Sequence, residues 1–368
     1  MTGFKSFTPR VQSLPASVPF VGPETSERAS GTLFNARIGA NENGFGFSPL
    51  VQKTIEDEAH LSWRYGDPES FDLKNVISGK LKVDFNNLVI GEGIDGLLGL
   101  VARMICEPDI AVVTSIGAYP TFNFHVNGFG GQLHTVPYKQ DREDLDALLA
   151  KVREMNAALV YFANPDNPMG TWWSSNEIIK FANALPSSTM LVLDEAYVEM
   201  APYEAVPALD EFLDMPNVLR MRTFSKAYGL AGLRVGYAIG HPDTILMFDR
   251  VRNHFGMSRL SQKAAVAAMK DDKWLSSVLE LISNSRQKIV DIARSHGFKS
   301  IPSATNFVTI DCGRDGDYAR FILKELMDRG IFVRMPGVAP LDRCIRVSVG
   351  PDEEIDQFEV ALKDILSE

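Results

Sequence analysis

Short apolar runs alternate with amphipathic stretches along the middle of the chain, from about residue 85 to residue 240. Uninterrupted runs of this length are typical of strands buried on both faces, and the stretches between them have helical spacing. The pattern therefore predicts an α/β fold, with a mostly parallel seven-stranded sheet between helices in a large domain. The predicted strands are Leu88–Gly91, Ile110–Thr114, Gln132–Val136, Ala158–Ala163, Met190–Leu193, Val218–Met221 and Arg234–Ile239.

The pattern changes after about residue 255, where the helical stretches become longer and only three strand candidates remain. Segments of this kind predict a second, smaller α+β domain. Residues 1–35 are rich in Ser, Pro, Thr and Gly, which favours an extended arm. We therefore predict an N-terminal arm over residues 1–43 that joins the small domain or a dimer contact. A large domain over 44–254 and a small C-terminal domain over 255–368 complete the predicted organisation.

Composition and charge narrow the class of protein. The 368 residues are 45% hydrophobic and 23% charged, and no apolar run approaches the roughly 20 residues that span a bilayer. The net charge of -10 argues against binding of a nucleic-acid backbone. The three cysteines lie far apart and the first residues lack the apolar core of a signal peptide. We therefore expect a cytoplasmic protein with reduced thiols and no membrane segment.

A glycine-rich segment, Gly91–Gly96, follows the first predicted strand and opens a helix, which matches the GxGxxG pattern of dinucleotide-binding folds. That interpretation requires a carboxylate at the end of the next strand, but Ile110–Thr114 is followed by Ser115 and Ile116. Two other interpretations stay open for the segment. It is either a tight turn between a strand and a helix, or a phosphate site, since free N–H groups at a helix N-terminus bind anions.

Four short polar motifs lie at or just after the carboxyl ends of predicted strands. In chain order they are Asn164–Gly170 (NPDNPMG), Asp194–Tyr197 (DEAY), Thr223–Lys226 (TFSK) and Gly232–Gly236 (GLRVG). Each motif alone has an ordinary interpretation as a turn, a helix cap or a solvated lysine. Because ligands bind at this edge of open α/β sheets, the four motifs together indicate one site.

The order and spacing of these motifs resemble the fold-type I aminotransferases of class I and II, and within them the histidinol-phosphate aminotransferase-like group. The resemblance runs from about Ile38 to Gly350 and implies a transaminase whose cofactor is pyridoxal 5′-phosphate (PLP). It implies that Lys226 binds PLP as a Schiff base and then moves the proton between the two reacting carbons. It also implies that Asp194 pairs with the pyridine nitrogen and keeps it protonated.

The same resemblance assigns the residues around the cofactor ring. Asn167 and Tyr197 would hydrogen-bond the phenolic oxygen, and Tyr119 would stack on the face of the ring. Tyr197 then completes a catalytic set with Lys226 and Asp194. No metal ligand is implied.

The cofactor phosphate has its own implied residues. Arg234 would bind it together with the hydroxyls of Thr223 and Ser225. The N–H groups of Ile94 and Asp95 would complete the phosphate cup, which favours the phosphate interpretation of the glycine-rich segment.

On the substrate side, Arg346 matches the arginine that takes the α-carboxylate, a planar anion that suits bidentate pairing. Asn41 lies in the motif Ala40–Asn43, which lines the substrate pocket of this group. Arg334 matches an arginine that helps bind the phosphate of histidinol phosphate. Tyr65 resembles a tyrosine that reaches across a homodimer to the partner's cofactor phosphate, which implies a dimeric enzyme.

The chain also departs from the group on the substrate side. Asn253–Met257 stands where a Pro-Tyr-Asn sequence is usual, and Ile94–Gly96 stands where Ala/Ser-Asp-Glu is usual. The resemblance therefore leaves three functions open. The first is transfer of an amino group between an L-amino acid or amino-phosphate and a 2-oxo acid, with histidinol phosphate as the leading substrate. The second is transamination of aromatic or bulky amino acids, with His254 and Phe255 facing the side chain, and the third is PLP-dependent decarboxylation.

Overall fold

The computed structural model describes residues 7–16 and 21–367, so part of the predicted arm and residue 368 lie outside the described residues. Elements are numbered here in chain order. The α-helices are α1 (Pro9–Ser13), α2 (Pro23–Ser30), α3 (Pro49–Glu58), α4 (Phe71–Leu81), α5 (Gly93–Ile105), α6 (Pro120–Phe129), α7 (Leu145–Met155), α8 (Ser175–Ala184), α9 (Pro242–Phe248), α10 (Arg259–Lys270), α11 (Asp272–Ser295), α12 (Gly316–Asp328) and α13 (Asp352–Ser367). The strands are β1 (Ala36–Arg37), β2 (Leu88–Gly91), β3 (Ala111–Ser115), β4 (Gln132–Val136), β5 (Leu159–Ala163), β6 (Met190–Asp194), β7 (Val218–Thr223), β8 (Gly236–Gly240), β9 (Lys299–Ser300), β10 (Phe307–Asp311), β11 (Ile331–Phe332) and β12 (Cys344–Ser348).

Seven strands form one sheet in the order β2-β8-β7-β6-β5-β3-β4. Strands β3 to β7 run parallel to one another, and β8 is antiparallel to both of its neighbours. Alternate residues of the central strands enter two separate cores: Tyr161 packs with α5 and α6, and Phe162 packs with α7 and α8. Burial on both faces explains the continuous apolar runs. The predicted mostly parallel, seven-stranded sheet is therefore confirmed.

The C-terminal part of the chain is the predicted α+β unit. Strands β12, β10 and β9 form an antiparallel sheet in that order, and α11, α12 and α13 contribute to the core beside it. Of the three strands predicted in this part of the sequence, the one expected over Ile331–Arg334 is shorter, since β11 covers only Ile331–Phe332. It pairs with β1 of the N-terminal segment in a separate two-stranded parallel sheet.

The prediction of a fully extended arm is wrong for the part that the structure describes, because α1 and α2 are helical. Both helices have capping residues at their ends, and the prediction did not take these residues into account. Thr8 accepts a hydrogen bond from the N–H of Val11, and Pro9 and Pro23 occupy first-turn positions where proline is pre-organised for a helix. Gly31 then ends α2 in a left-handed conformation.

Helix α10 packs on α3 and α4 in a core that also includes Phe224 and Tyr237 of the large sheet region. A division at residue 255 would assign this helix to the small domain, although its apolar neighbours belong to the large one. The predicted domain boundaries at 43 and 254 remain a prediction. None of the helices that the structure describes is long and apolar enough to cross a membrane.

Candidate active site

The four polar motifs and the glycine-rich segment surround one cavity of about 240 Å³ at the carboxyl edge of the large sheet. They meet there because parallel strands place their carboxyl ends on the same edge. The lining residues that the sequence singled out are Ile94, Asp95, Tyr119, Asn167, Asp194, Tyr197, Thr223, Ser225, Lys226 and Arg234. Asn41, Arg334, Arg346 and Tyr65 do not line this cavity, and each is placed separately below.

Asp194 ends β6 at the floor of the cavity and is buried. Its Oδ2 accepts a hydrogen bond of 2.7 Å from the hydroxyl of Tyr161, and its Oδ1 accepts one of 2.9 Å from the N–H of Ala196. Burial raises the pKa of Asp194 to about 6, although both hydrogen bonds oppose the rise. A buried carboxyl in this setting is ready to accept a hydrogen bond from a cationic partner in the cavity.

Lys226 follows β7 and projects into the same cavity. Its Nζ donates a hydrogen bond of 2.8 Å to the carbonyl of Asn41 and lies 5.8 Å from the centre of the Tyr197 ring. Burial lowers the pKa of Lys226 to about 8, and the guanidinium of Arg346 adds to the effect. The lysine therefore has a substantial neutral fraction near pH 7 to 8, and the neutral amine is the nucleophilic form.

Tyr197 and Asn167 face Lys226 from two different loops. Asn41 Nδ2 donates to the Tyr197 hydroxyl at 3.0 Å, and Arg346 Nη1 donates to Asn167 Oδ1. Burial raises the pKa of Tyr197 well above its usual range, so the hydroxyl keeps its proton. Both side chains are thus fixed by residues from outside the large sheet.

A cup of polar groups lies at the N-terminus of α5. Arg234 adopts a left-handed backbone conformation, and its Nη1 donates to the Ser225 hydroxyl at 3.4 Å. The hydroxyl of Thr223 accepts from the N–H of Ser225 at 3.0 Å. Gly93 has φ +77, and a Cβ there would lie 2.6 Å from Arg234 Nη2, so only glycine lets the guanidinium approach this closely.

Ile94 and Asp95 lie in the first turn of α5, where backbone N–H groups have no acceptor within the helix. Together with Arg234 they give the cup the donors and the positive end of a helix dipole that suit a phosphate. Tyr119 immediately precedes α6 and is mostly buried beside the cup. Burial raises the pKa of Tyr119, so its ring remains neutral.

Arg334 and Arg346 are direct antiparallel neighbours. The N–H of Arg346 donates to the carbonyl of Arg334 at 2.6 Å and the N–H of Arg334 returns a bond of 3.2 Å. Residues paired in this way project from the same face of the backbone. Arg334 Nη2 also donates to the carbonyl of Val21 in the N-terminal segment at 2.6 Å. Burial lowers the pKa of Arg346 to about 10, and the nearby charge of Arg334 adds to it.

Two buried polar atoms beside the cavity have no hydrogen-bond partner among the described residues: Nε of Arg346 and Oδ1 of Asn306. Asn306 uses its Nδ2 to bind the carbonyls of Asn41 and Glu42 at 3.0 and 3.1 Å. Leaving a charged donor such as Arg346 Nε buried and unpaired is costly. The atom is therefore a natural position for an anionic ligand.

Tyr65 lies outside the cavity and is 80% exposed. Its ring packs against Phe255 at 4.9 Å between ring centres, and Phe255 is itself 57% exposed. His254 is the exposed neighbour of Phe255. Within one chain, none of these three side chains lines the cavity.

Tyr161 was not among the residues predicted from the sequence. A signal existed, since a tyrosine inside a buried apolar strand needs a partner for its hydroxyl. Its ring stacks on Phe122 at 4.6 Å between centres, while the hydroxyl reaches Asp194. Sequence reading missed it because the strand pattern marks Tyr161 only as core.

Glu195 was missed for a similar reason. It follows Asp194 and points to the opposite face of the sheet, where Arg220 Nη2 and Arg222 Nε donate to it at 2.7 and 2.8 Å. All three side chains are buried. Burial alone would raise the pKa of Glu195, but the two guanidinium groups hold it below its usual range. The ion cluster therefore anchors the loop that carries Asp194 and Tyr197.

The comparisons with known proteins agree with this geometry. Residues 38–362 match the family model for aminotransferase class I and II, so the chain belongs to this family. Histidinol-phosphate aminotransferase 1 of Nitrosococcus oceani is 35% identical over 97% of this chain and 96% of its own. The chain is also similar to the crystal structure of histidinol-phosphate aminotransferase from Sinorhizobium meliloti in complex with pyridoxal-5′-phosphate, with 55% sequence identity. The match covers 100% of this chain and 99% of that chain, with a TM-score of 0.97.

The protein is thus a PLP-dependent aminotransferase of fold type I. The cavity fits that cofactor on chemical grounds. It has a buried carboxyl at Asp194, an amine at Lys226 and a polar cup in which Gly93 allows the Arg234 guanidinium to approach α5 closely. The dinucleotide interpretation of Gly91–Gly96 is wrong, because the chain belongs to the aminotransferase family; the segment leads into α5, at whose N-terminus the polar cup lies.

Proposed function

We propose that the enzyme transfers an amino group from histidinol phosphate, or a closely related amino-phosphate, to a 2-oxo acid. The observation on which this proposal rests is the pairing of Arg334 with Arg346 beside the cavity. One guanidinium suffices for a carboxylate, whereas a phosphate dianion favours two. The names of the relatives support the same substrate class, since both act on histidinol phosphate by name.

The proposal gives the lining residues their parts. Asp194 would hold the cofactor's ring nitrogen, Tyr119 would cover the ring, and Asn167 and Tyr197 would hydrogen-bond the ring oxygen, since all four side chains line the cavity. Asn41 supports this set through its bonds to Tyr197 and Lys226.

A second group of residues holds the phosphate of the cofactor. Arg234 binds it from one side with the hydroxyls of Thr223 and Ser225. The N–H groups of Ile94 and Asp95 bind it from the other side, as their place in the first turn of α5 allows.

When bound, PLP supplies an electron-withdrawing ring that stabilises negative charge on the substrate carbon beside the nitrogen. The residues of this chain supply the rest. Lys226 would take a proton from one carbon of the bound substrate and return it to another, and burial lowers the pKa of its amine to about 8, which favours this role near neutral pH. Asp194 holds the proton on the ring nitrogen by a charge-assisted hydrogen bond. Arg346 fixes the substrate anion and so orients the reacting bond.

The substrate assignment is tested by single-turnover reactions of the purified PLP enzyme with histidinol phosphate, phenylalanine, tyrosine, glutamate and leucine. We expect histidinol phosphate to react fastest at low concentration. Arg334→Ala should slow that reaction about 30-fold and the glutamate reaction less than about threefold, because the phosphate loses one of two charge-assisted partners. Arg294→Ala, which removes an arginine whose side chain is 76% exposed, is the matched control.

Other outcomes of this screen favour the alternatives. Equal rates for all donors, unaffected by Arg334→Ala, would remove the phosphorylated substrate. Preference for phenylalanine and tyrosine would favour an aromatic aminotransferase. Release of carbon dioxide without formation of the pyridoxamine form of the cofactor would show a decarboxylase.

The proposal includes a homodimer in which Tyr65 reaches the partner's site. Its support is the exposed aromatic group formed by Trp63, Tyr65 and Phe255, of which Trp63 is 76% exposed. Mixing Lys226→Ala chains with Tyr65→Ala chains should restore about a quarter of the wild-type activity, since half the dimers are mixed and each has one intact site. If activity does not recover after subunit exchange is confirmed, Tyr65 does not act in the partner's site.

The three free cysteines are buried, which suits the expected reducing cytoplasm.

A further inference from the structure

The N-terminus of α5 presents an electrostatic conflict. Asp95, the third residue of the helix, lines the cavity next to the cup that the proposed function assigns to the cofactor phosphate. A helix N-terminus attracts negative charge, so the carboxylate of Asp95 and a phosphate compete for the same few N–H groups. Two anions in contact in a partly enclosed site repel each other strongly.

His125 resolves this conflict from the neighbouring helix α6. Its Nε2 lies 3.1 Å from Oδ1 of Asp95, and the His125 side chain is only 21% exposed. The hydrogen bond to His125 is the main cause that holds the pKa of Asp95 below its usual range, so the carboxylate stays ionised beside the imidazole. The negative charge is thereby engaged on the side of α6.

A glycine on α5 leaves room for the imidazole of His125. Gly99 lies one turn after Asp95 on α5, and a Cβ at that position would approach Cε1 of the imidazole to 3.1 Å and Nδ1 to 3.2 Å. Any larger residue at 99 would crowd the ring. The absence of a side chain at Gly99 therefore gives the imidazole its place over α5, within reach of the Asp95 carboxylate.

We propose that His125 is a positioning residue for cofactor binding: it holds the carboxylate of Asp95 against α6, so that Asp95 offers its N–H and not its charge to the phosphate. This inference rests on the proposed function, because it assumes that the cup binds the phosphate of PLP. It gives a role to a histidine that touches neither the cofactor ring nor the substrate. It also gives a reason for Gly99.

The test compares two probes that differ only in the phosphate. Apoenzyme of the wild type and of His125→Leu is titrated with PLP and with pyridoxal, and dissociation constants are measured from the change in absorbance. His125→Leu should weaken PLP about tenfold, because the released carboxylate returns to the cup, and should change pyridoxal binding less than twofold.

Two further variants separate positioning from simple packing. Asp95→Asn added to His125→Leu removes the charge and should restore PLP affinity to within about twofold of the wild type. His125→Gln keeps a hydrogen-bond donor, so its PLP affinity should lie between those of the wild type and His125→Leu. His134→Leu in β4 is the matched control, since its buried Nε2 has no partner among the described residues, and it should bind both probes as the wild type does.

Each remaining result counts against the idea. Equal weakening of PLP and pyridoxal, or no rescue by Asp95→Asn, would make His125 a packing residue and overturn the proposal. Unchanged PLP affinity in His125→Leu would overturn it as well. Failure of the proposed function looks different: borohydride treatment of the wild type saturated with PLP would then leave no cofactor covalently attached to Lys226.

Discussion

The site has two walls that are built in different ways. The sheet wall lines the cavity and consists of Asp194, Thr223, Ser225 and Lys226, which end or follow adjacent strands of one parallel sheet. The small-domain wall lies beside the cavity without lining it and consists of Asn41, Arg334 and Arg346, which come from opposite ends of the chain. Asn41, for example, bonds Ser348 across a sequence separation of 307 residues. Topology alone brings the first wall together, whereas the second depends on contacts between distant segments.

This difference shows how one cofactor site can serve many substrates. The strands that carry the sheet wall cannot change in length without disturbing the ladder that aligns them. The small-domain wall contacts the sheet wall directly through the bond from Lys226 to Asn41, and it reaches the cavity-lining residues Asn167 and Tyr197 through Arg346 and Asn41. Because these contacts are few, we expect changes in the small-domain wall to alter substrate binding more than cofactor binding.

The largest expected separation of the two walls comes from Arg346→Ala. We expect KM for amino-acid donors to rise about 100-fold, because the buried guanidinium proposed to pair with the donor's anion is lost. PLP affinity should change less than about threefold. The measurements are steady-state kinetics and a PLP titration of the apoenzyme, with Arg346→Lys expected to recover only part of the loss. A comparable loss of PLP affinity would mean that the bond to Asn167 couples the walls.

Tyr161→Phe should produce a smaller effect, on PLP affinity and not on KM. The change removes the hydroxyl that donates to Asp194 and keeps the ring on Phe122. We expect PLP to bind about tenfold more weakly, the cost of one hydrogen bond to a charged group, with KM for the amino donor unchanged. Tyr203→Phe, at a tyrosine that is almost fully exposed, serves as the control. A rise in KM for the amino donor without loss of PLP affinity would contradict this prediction, because Tyr161 would then act on substrate binding and not on cofactor binding.

The smallest effect concerns the stability of the apoenzyme. The folded pKa of Lys226 is about 8 against 10.5 for an ordinary lysine, so between these values the unfolded chain binds the proton and the folded one does not. Wild-type stability from this group therefore rises with pH across that window. Lys226→Met should be more stable than wild type by about 1 kcal/mol at pH 7, and the gain should shrink by pH 10.5. Urea unfolding at pH 7 and at pH 10.5 measures this gain in the free energy of unfolding, with Lys180→Met as the control. A gain that grows with pH would contradict the burial effect.

The sequence predicts the sheet wall well for a physical reason. Each of its residues ends or follows a strand whose apolar run is visible, and parallel strands end at one edge. The same rule places Asn167, which follows β5, in the cavity, whereas Arg234 reaches the cavity just before the start of β8, which is antiparallel to β7. Family resemblance was needed for Arg346, because a buried arginine in an apolar strand has no local pattern that distinguishes it from an edge residue.

Other features could not be read from the chain. The bond between His125 and Asp95 depends on how α5 and α6 pack, and the partner of Tyr161 depends on the register of β5 against β6. The helices of the N-terminal segment were missed because a composition rich in Ser, Pro and Gly was weighed above the capping positions of its prolines. In the first two cases a contact between segments decided the outcome, and in the third a local capping signal did.

The neighbouring carboxyls of Asp194 and Glu195 have a consequence for how this gene can change. They point to opposite faces of the sheet, one toward the cavity and the other toward Arg220 and Arg222. A deletion or insertion of one residue within β6 would exchange them, presenting the longer acid to the cofactor and leaving two buried arginines facing the shorter one. Substitutions can be tolerated one at a time along this strand, but its length cannot vary, so we expect natural relatives to show no gaps between β6 and Tyr197.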